Sequence, residues 1–145
     1  MKSLPWLTLI CALLAAPALA GGRSLPQDSS WILVARSPAG DLYLLSRSDV
    51  VVDEPVNQVV AWMRHGLPAV TQVGVVRGVS DKLMRARFDC GKARMRIEEL
   101  VYLDVSGKIL LEDSTRSGFE DTSSNPGLKA LNDYACGQLR AGGGS

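Results

Sequence analysis

The feature that most constrains the fold of this chain is a pair of cysteines, Cys90 and Cys136, in a sequence that opens with an export leader. Lys2, the apolar run over residues 4–14 and the small-residue end Ala18-Leu19-Ala20 are the charged, apolar and cleavable parts of a secretory signal peptide. The expectation is a signal peptide at residues 1–20 and a mature chain from Gly21, which removes the third cysteine, Cys11. In an oxidising compartment, two remaining cysteines read as a disulfide rather than as a reactive or metal-binding pair. A bridge closing a loop of about 46 residues contributes roughly 4 kcal/mol by the chain-entropy argument. Any fold for this chain must therefore bring the two cysteines together. The leader's apolar run is about eleven residues, too short to cross the roughly 30 Å core of a bilayer as a helix, and no later segment is longer.

Charge narrows the function classes. Of 16 Lys and Arg residues one, Lys2, lies in the leader, so the mature chain has 15 basic residues against 15 acidic ones. A neutral domain has no global field to steer it toward nucleic acid, and binding to any polyanion needs a local cluster. The mature length suits a single core. We place that domain at residues 31–140, after a lead-in at 21–30 rich in Gly, Ser, Pro and Asp that reads as flexible, and before a flexible Gly-rich tail at 141–145.

The pattern of the domain is that of strands followed by one helix. Residues 31–35 are nearly all apolar, Pro38-Ala39-Gly40-Asp41 supplies a turn, and residues 42–45 pair back as a hairpin. A short valine run at 50–52 stops at Asp53-Glu54-Pro55, and residues 57–64 form a third strand. Residues 70–79, rich in valine but broken by Gly74 and Gly78, read as a weak or edge strand with a bulge. Alternation then becomes strict, with Met84, Ala86, Phe88 and Cys90 on one face and Arg85, Arg87 and Asp89 on the other. Beyond Gly91-Lys92, Met95, Ile97, Val101 and Leu103 are expected to face inward together, and Ser106-Gly107 turns the chain into 109–111, completing a meander. Asn125 caps a helix whose first residue is Pro126, with Leu128, Leu131, Ala135 and Leu139 at helical spacing. The fold class is α+β: an antiparallel sheet of about six strands and a C-terminal helix, which Cys136 would staple to the strand of Cys90.

Candidate sites are few. The best is the polar face of the hairpin around Gly91-Lys92, where Arg85, Arg87, Lys92, Arg94 and Arg96 gather, with Arg87 expected opposite Arg96, Arg85 opposite Glu98 and Asp89 opposite Arg94. Like charges on facing positions are costly, which fits an anionic partner such as a glycan sulfate or an acidic protein loop; the simpler reading is a solvated face whose arginines are offset by Asp81, Asp89, Glu98 and Glu99. His65, the only histidine, has no neighbouring nucleophile and reads as structural or as a loop residue. One histidine and two bridged cysteines do not make a zinc site, the acidic pairs read as solvated turns, and no phosphate-cradling loop is present, so neither catalysis nor a cofactor is expected. Trp31 and Trp62 read as core.

The order of Trp31, Tyr43, Trp62, Phe88-Asp89-Cys90 with Arg94 and Arg96, Tyr102-Leu103-Asp104 with Gly107, and the late Cys136 resembles the surface-adhesin protein E family of Gram-negative bacteria. The resemblance implies an antiparallel sheet with a disulfide-tied helix, export to the periplasm or outer surface, and non-catalytic binding of host matrix proteins such as vitronectin, laminin or plasminogen. The alternative from another class is a periplasmic structural or assembly protein whose sheet pairs with a bacterial partner or with itself as a homodimer.

Overall fold

The computed structural model describes residues 24–142. The signal peptide at 1–20, residues 21–23 and the end of the tail at 143–145 lie outside the described residues. Eight strands form one antiparallel sheet: β1 (Trp31–Arg36), β2 (Leu42–Ser46), β3 (Val51–Asp53), β4 (Gln58–Val73), β5 (Val76–Asp89), β6 (Arg94–Leu103), β7 (Ile109–Asp113) and β8 (Glu120–Asp121). The main order is β1-β2-β4-β5-β6-β7; β3 pairs with β4 and β8 with β6. Helix α1 (Pro126–Tyr134) starts as its sequence dictates, with the Asn125 side chain accepting hydrogen bonds from the amides of Gly127 and Leu128. It continues through a π-helical turn, Ala135–Leu139, into a last turn, Arg140–Gly142.

The helix covers one face of the sheet. Leu131, Ala135 and Leu139 bury themselves there against Tyr43, Leu45, Val59, Ala61, Met63, Ala86, Phe88 and Met95. The approach is close at Gly127, where a Cβ would stand 2.3 Å from the Tyr43 ring, so only glycine fits. Cys90 and Cys136 are bridged with a Cα–Cα distance of 5.5 Å, which ties sheet to helix as the alternation and the helical spacing require.

The opposite face carries a smaller cluster of Trp62, Leu83, Val101 and Leu103, against which Leu25 and Trp31 pack. Two expectations change here. Residues 28–30 form a 3-10 turn rather than unstructured chain, and Ser30 bonds the Ser46 hydroxyl, so the second half of the lead-in is seated on the sheet. Val101 and Leu103 do not share a face with Met95 and Ile97. A bulge in β6 pairs Ala86 with Ile97 but Arg85 with Glu99, so Glu98 is an extra residue and the side-chain parity reverses beyond it.

Strand β4 also runs further than residues 57–64. It pairs with β2 only as far as Gly66, and β5 pairs with β6 only from Asp81, so residues 67–79 continue outward as a two-stranded arm. Residues 70–79 are thus the tip and returning side of a hairpin rather than a separate edge strand. The turn is Gly74-Val75, with Gly74 at φ 58°, in the region that a side chain disfavours.

Candidate functional site

The basic hairpin assembles on the face away from the helix, where β5 and β6 place their arginines side by side. Arg87 does stand opposite Arg96, and Asp89 opposite Arg94, but Arg85 faces Glu99 rather than Glu98 because of the bulge. The bulge also resolves the like-charge contact. The Glu98 carboxylate accepts from Arg87 Nε at 2.7 Å and from Arg96 Nη2 at 3.2 Å, bridging the two guanidinium groups. Burial pushes the Glu98 carboxyl up, yet the hydrogen bond and charge of Arg87, reinforced by Arg96, outweigh it and leave Glu98 below the usual carboxylate range. Arg87 further reaches Gln58 and Asp53, and Arg94 donates to Asp89 at 3.0 Å. Phe119 adds a third kind of partner: the Arg94 and Arg96 guanidinium carbons lie 4.8 and 5.0 Å from its ring centre. The Arg96 Nε is buried and has no hydrogen-bond partner among the described residues.

Of the five cations picked from the sequence, three are therefore held by carboxylates, Arg85 stands between Trp62 and Glu99 on neighbouring strands, and Lys92 is exposed at the tip with no ion pair among the described residues. The loop itself is fastened on three sides. Cys90 is bridged to Cys136, the Cys90 amide donates to the Asn57 carbonyl at 3.0 Å, and both the amide and hydroxyl of buried Thr122 donate to the Ala93 carbonyl. Ala93, at φ 48°, is kept in the left-handed region by that grip. Chemically, this is a charge ladder that stiffens a hairpin.

A second feature lies on the helix side, where sequence reading found nothing. A groove of about 240 Å³ opens between the sheet and the start of α1, lined by Met63, His65, Lys82, Met84, Met95 and Leu128 among others. His65 is not a loop residue but lies within β4, half-buried. Its ring stacks on Tyr43 at 4.8 Å, and its Nε2 meets Asp41 Oδ1 at 2.8 Å. Asp41 is held below its ordinary range first by the Ser37 hydroxyl and then by His65. Asp41 and His65 are 24 residues apart and meet only because β2 pairs with β4, so no local motif signals the contact.

The third feature is the arm. At its root Val79 is fully buried, and beyond it the apolar side chains run out into solvent: Val70 is 55% exposed and Val75 95% exposed, the latter more than any other large apolar residue of the described chain. An isolated two-stranded ribbon is marginal in water, and the exposed valine at its tip, Val75, adds no packing to it.

Among the described residues no group of three or more His, Cys, Asp or Glu side chains is placed to hold a metal ion, and no helix is long and apolar enough to cross a membrane. Comparisons of the chain with protein families, with curated proteins and with solved structures found no match.

Proposed function

We propose that this chain is a non-catalytic, exported binding domain of the protein E kind that presents its β4–β5 arm to a protein partner. The observation that carries the reading is the arm: beyond buried Val79, residues 70–78 run past the ends of β2 and β6 and hold Val75 in solvent at the turn, about 13 Å out at the rise of an extended strand, with Val70 exposed nearer the root. A rigid base with an apolar tip is the geometry of an interaction element, whose gain comes from burying those valines in a partner's pocket. The arginine hairpin supports a protein ligand over an anionic glycan, because its guanidinium groups already have carboxylates. Host matrix proteins are the partner class the resemblance implies. The bridged cysteines support an oxidising, extracytoplasmic location.

The test is immobilised vitronectin, laminin and plasminogen against the mature chain and its Val70→Ser/Val75→Ser variant. The expected result is binding to at least one of them that falls tenfold or more in the variant; binding that is equal in both would overturn the arm's role. A second reading has its own observation, the unpaired outer backbone of the arm's strands, which suits strand addition to a bacterial envelope partner. Protease added to intact cells separates the two: cleavage in the arm keeps the adhesin reading, and protection until the outer membrane is permeabilised selects the periplasmic one.

A further inference from the structure

The groove between the sheet and the start of α1 is elongated, and its chemistry changes from one end to the other. Its floor is apolar: Met63 and Met84, direct partners across β4 and β5, lead to Ile97 and Met95 on β6, with Leu128 of α1 as a wall. All three methionines of the described chain are here, and unbranched thioether side chains repack readily around whatever lies on them. Lys82 stands at one end, opposite His65 and two residues before Met84 on the same face. Met95 pairs with Phe88, six strand positions from Lys82, so the floor runs about 20 Å at the rise of a strand. A volume of about 240 Å³ spread along that length is room for one narrow chain.

Most polar groups of the lining are already engaged. The Asn125 side chain accepts from the amides of Gly127 and Leu128, and Ser117 Oγ accepts from the Ile97 amide and donates to the Gly118 carbonyl. The edge of β6 is closed as well, because the Ser117 amide donates to the Ile97 carbonyl and Glu120 pairs with Met95. A peptide laid in the groove would bury amides with little to bond them, whereas a hydrocarbon chain buries only methylenes. Charge then sets the polarity of the occupant. Arg64, Arg85 and Arg87 are on the other face of β4 and β5, and Lys82 alone of their sheet cations lines the groove, half-buried, its ammonium without an ion pair or hydrogen bond among the described residues. The carboxylates on either side of it are engaged elsewhere, Asp81 with Arg64 and Asp41 with Ser37 and His65. At the far end Glu120 and Arg96 are of opposite sign, and Arg96 also donates to Glu98, so the unbalanced charge of the groove is at Lys82. We propose that the groove binds a single-chain fatty acid, its carboxylate on Lys82 Nζ and its acyl chain lying over Met84, Met63 and Ile97 toward Met95. One narrow groove with one free cation fits one chain with one anionic head, not a two-chain phospholipid. The site is on the helix face, away from the arm, and is independent of the binding reading above.

The test titrates the mature chain, labelled in its methionine methyl groups, with laurate below its micelle concentration. Saturable binding of one laurate per chain is expected, with the methyl resonances of Met63, Met84 and Met95 all shifting in the nuclear magnetic resonance spectrum. Calorimetry should show affinity rising by up to about fourfold per methylene from octanoate to laurate. Lys82→Gln should weaken laurate about tenfold or more and leave lauryl alcohol unchanged, and Lys82→Arg should restore most of the laurate affinity. Lys108→Gln, which removes the same charge at an exposed turn, should change neither ligand. Met84→Gln places an amide in the floor and should weaken both ligands; the Lys82 variants keep the test decisive if Met84→Gln does not fold, as its unfolding midpoint reports. Absence of laurate binding overturns the proposal. So does binding that is equal in Lys82→Gln and wild type, or that leaves the three methyl resonances unshifted, which would be non-specific adsorption.

Discussion

Strand β5 belongs to two hairpins, and they are opposites. At one end, β5–β6 turns through a loop fixed by a disulfide, by Thr122 and by Asn57, with arginines, carboxylates and Phe119 interlocked along its outer face. At the other end, β4–β5 runs past its neighbours and ends on the solvated Val75 of a glycine turn, with Val70 exposed nearer the root. The charged hairpin looks like the site in the sequence and is built as structure; the apolar one reads as a weak strand and is the free surface. The lesson is that a charged side chain is a binding candidate only after its neighbours have taken their share. The side chains left unsatisfied at the arm are apolar, and their lack of partners is visible only in three dimensions.

The largest perturbation that would separate the two hairpins is removal of the bridge. Cys90→Ser/Cys136→Ser should cost about 4 kcal/mol and lower the unfolding temperature by more than about 10 °C, with α1 loosened from the base of β5. An unchanged midpoint would mean that the base is held by packing alone. Next is the charge ladder. Arg87→Ala strips a nearly buried Glu98 of its best donor and should cost about 1–3 kcal/mol by denaturant unfolding, well above an ordinary surface change. Acid should act on the same place. Glu98 and Asp41 are held below their ordinary ranges, so the stability they confer is present above the unfolded carboxylate values near pH 4 and is lost as pH falls through their lowered folded values. Unfolding midpoints measured from pH 6 downward should therefore drop below about pH 4, and Glu98→Gln should reduce the drop. The smallest effect belongs to the arm: Val75→Ser should change stability by less than about 0.5 kcal/mol. A loss of stability there as large as that of Arg87→Ala would erase the contrast between the hairpins.

Much of the architecture was legible in the residues because it is local. Asn125-Pro126 starts the helix, the alternation from Met84 to Cys90 fixes the face of β5, and the turns at 38–41 and 106–107 set the outer hairpins. What escaped depends on single-residue parity or on long-range pairing. Glu98 and Glu99 are both acidic and half-buried, and nothing in their types says which one is the extra residue of a bulge; yet that residue decides which face Val101 and Leu103 enter and which carboxylate joins Arg87 to Arg96. The valines and glycines of 70–79 suit a strand anywhere, and only the shortness of β2 and the late start of pairing with β6 turn them into an arm. Met63, His65, Met84 and Met95 sit at ordinary inward positions on three strands and line one groove only when those strands are laid side by side.

Hydrogen–deuterium exchange on the mature chain, read residue by residue, tests this contrast most directly, because both hairpins share β5 and are observed in the same molecule under the same conditions. The account predicts that amides of residues 70–78 exchange rapidly while those paired across residues 85–97 are protected to near the global unfolding free energy. Equal protection along the whole of β5, or faster exchange at residues 87–96 than in the arm, would contradict it.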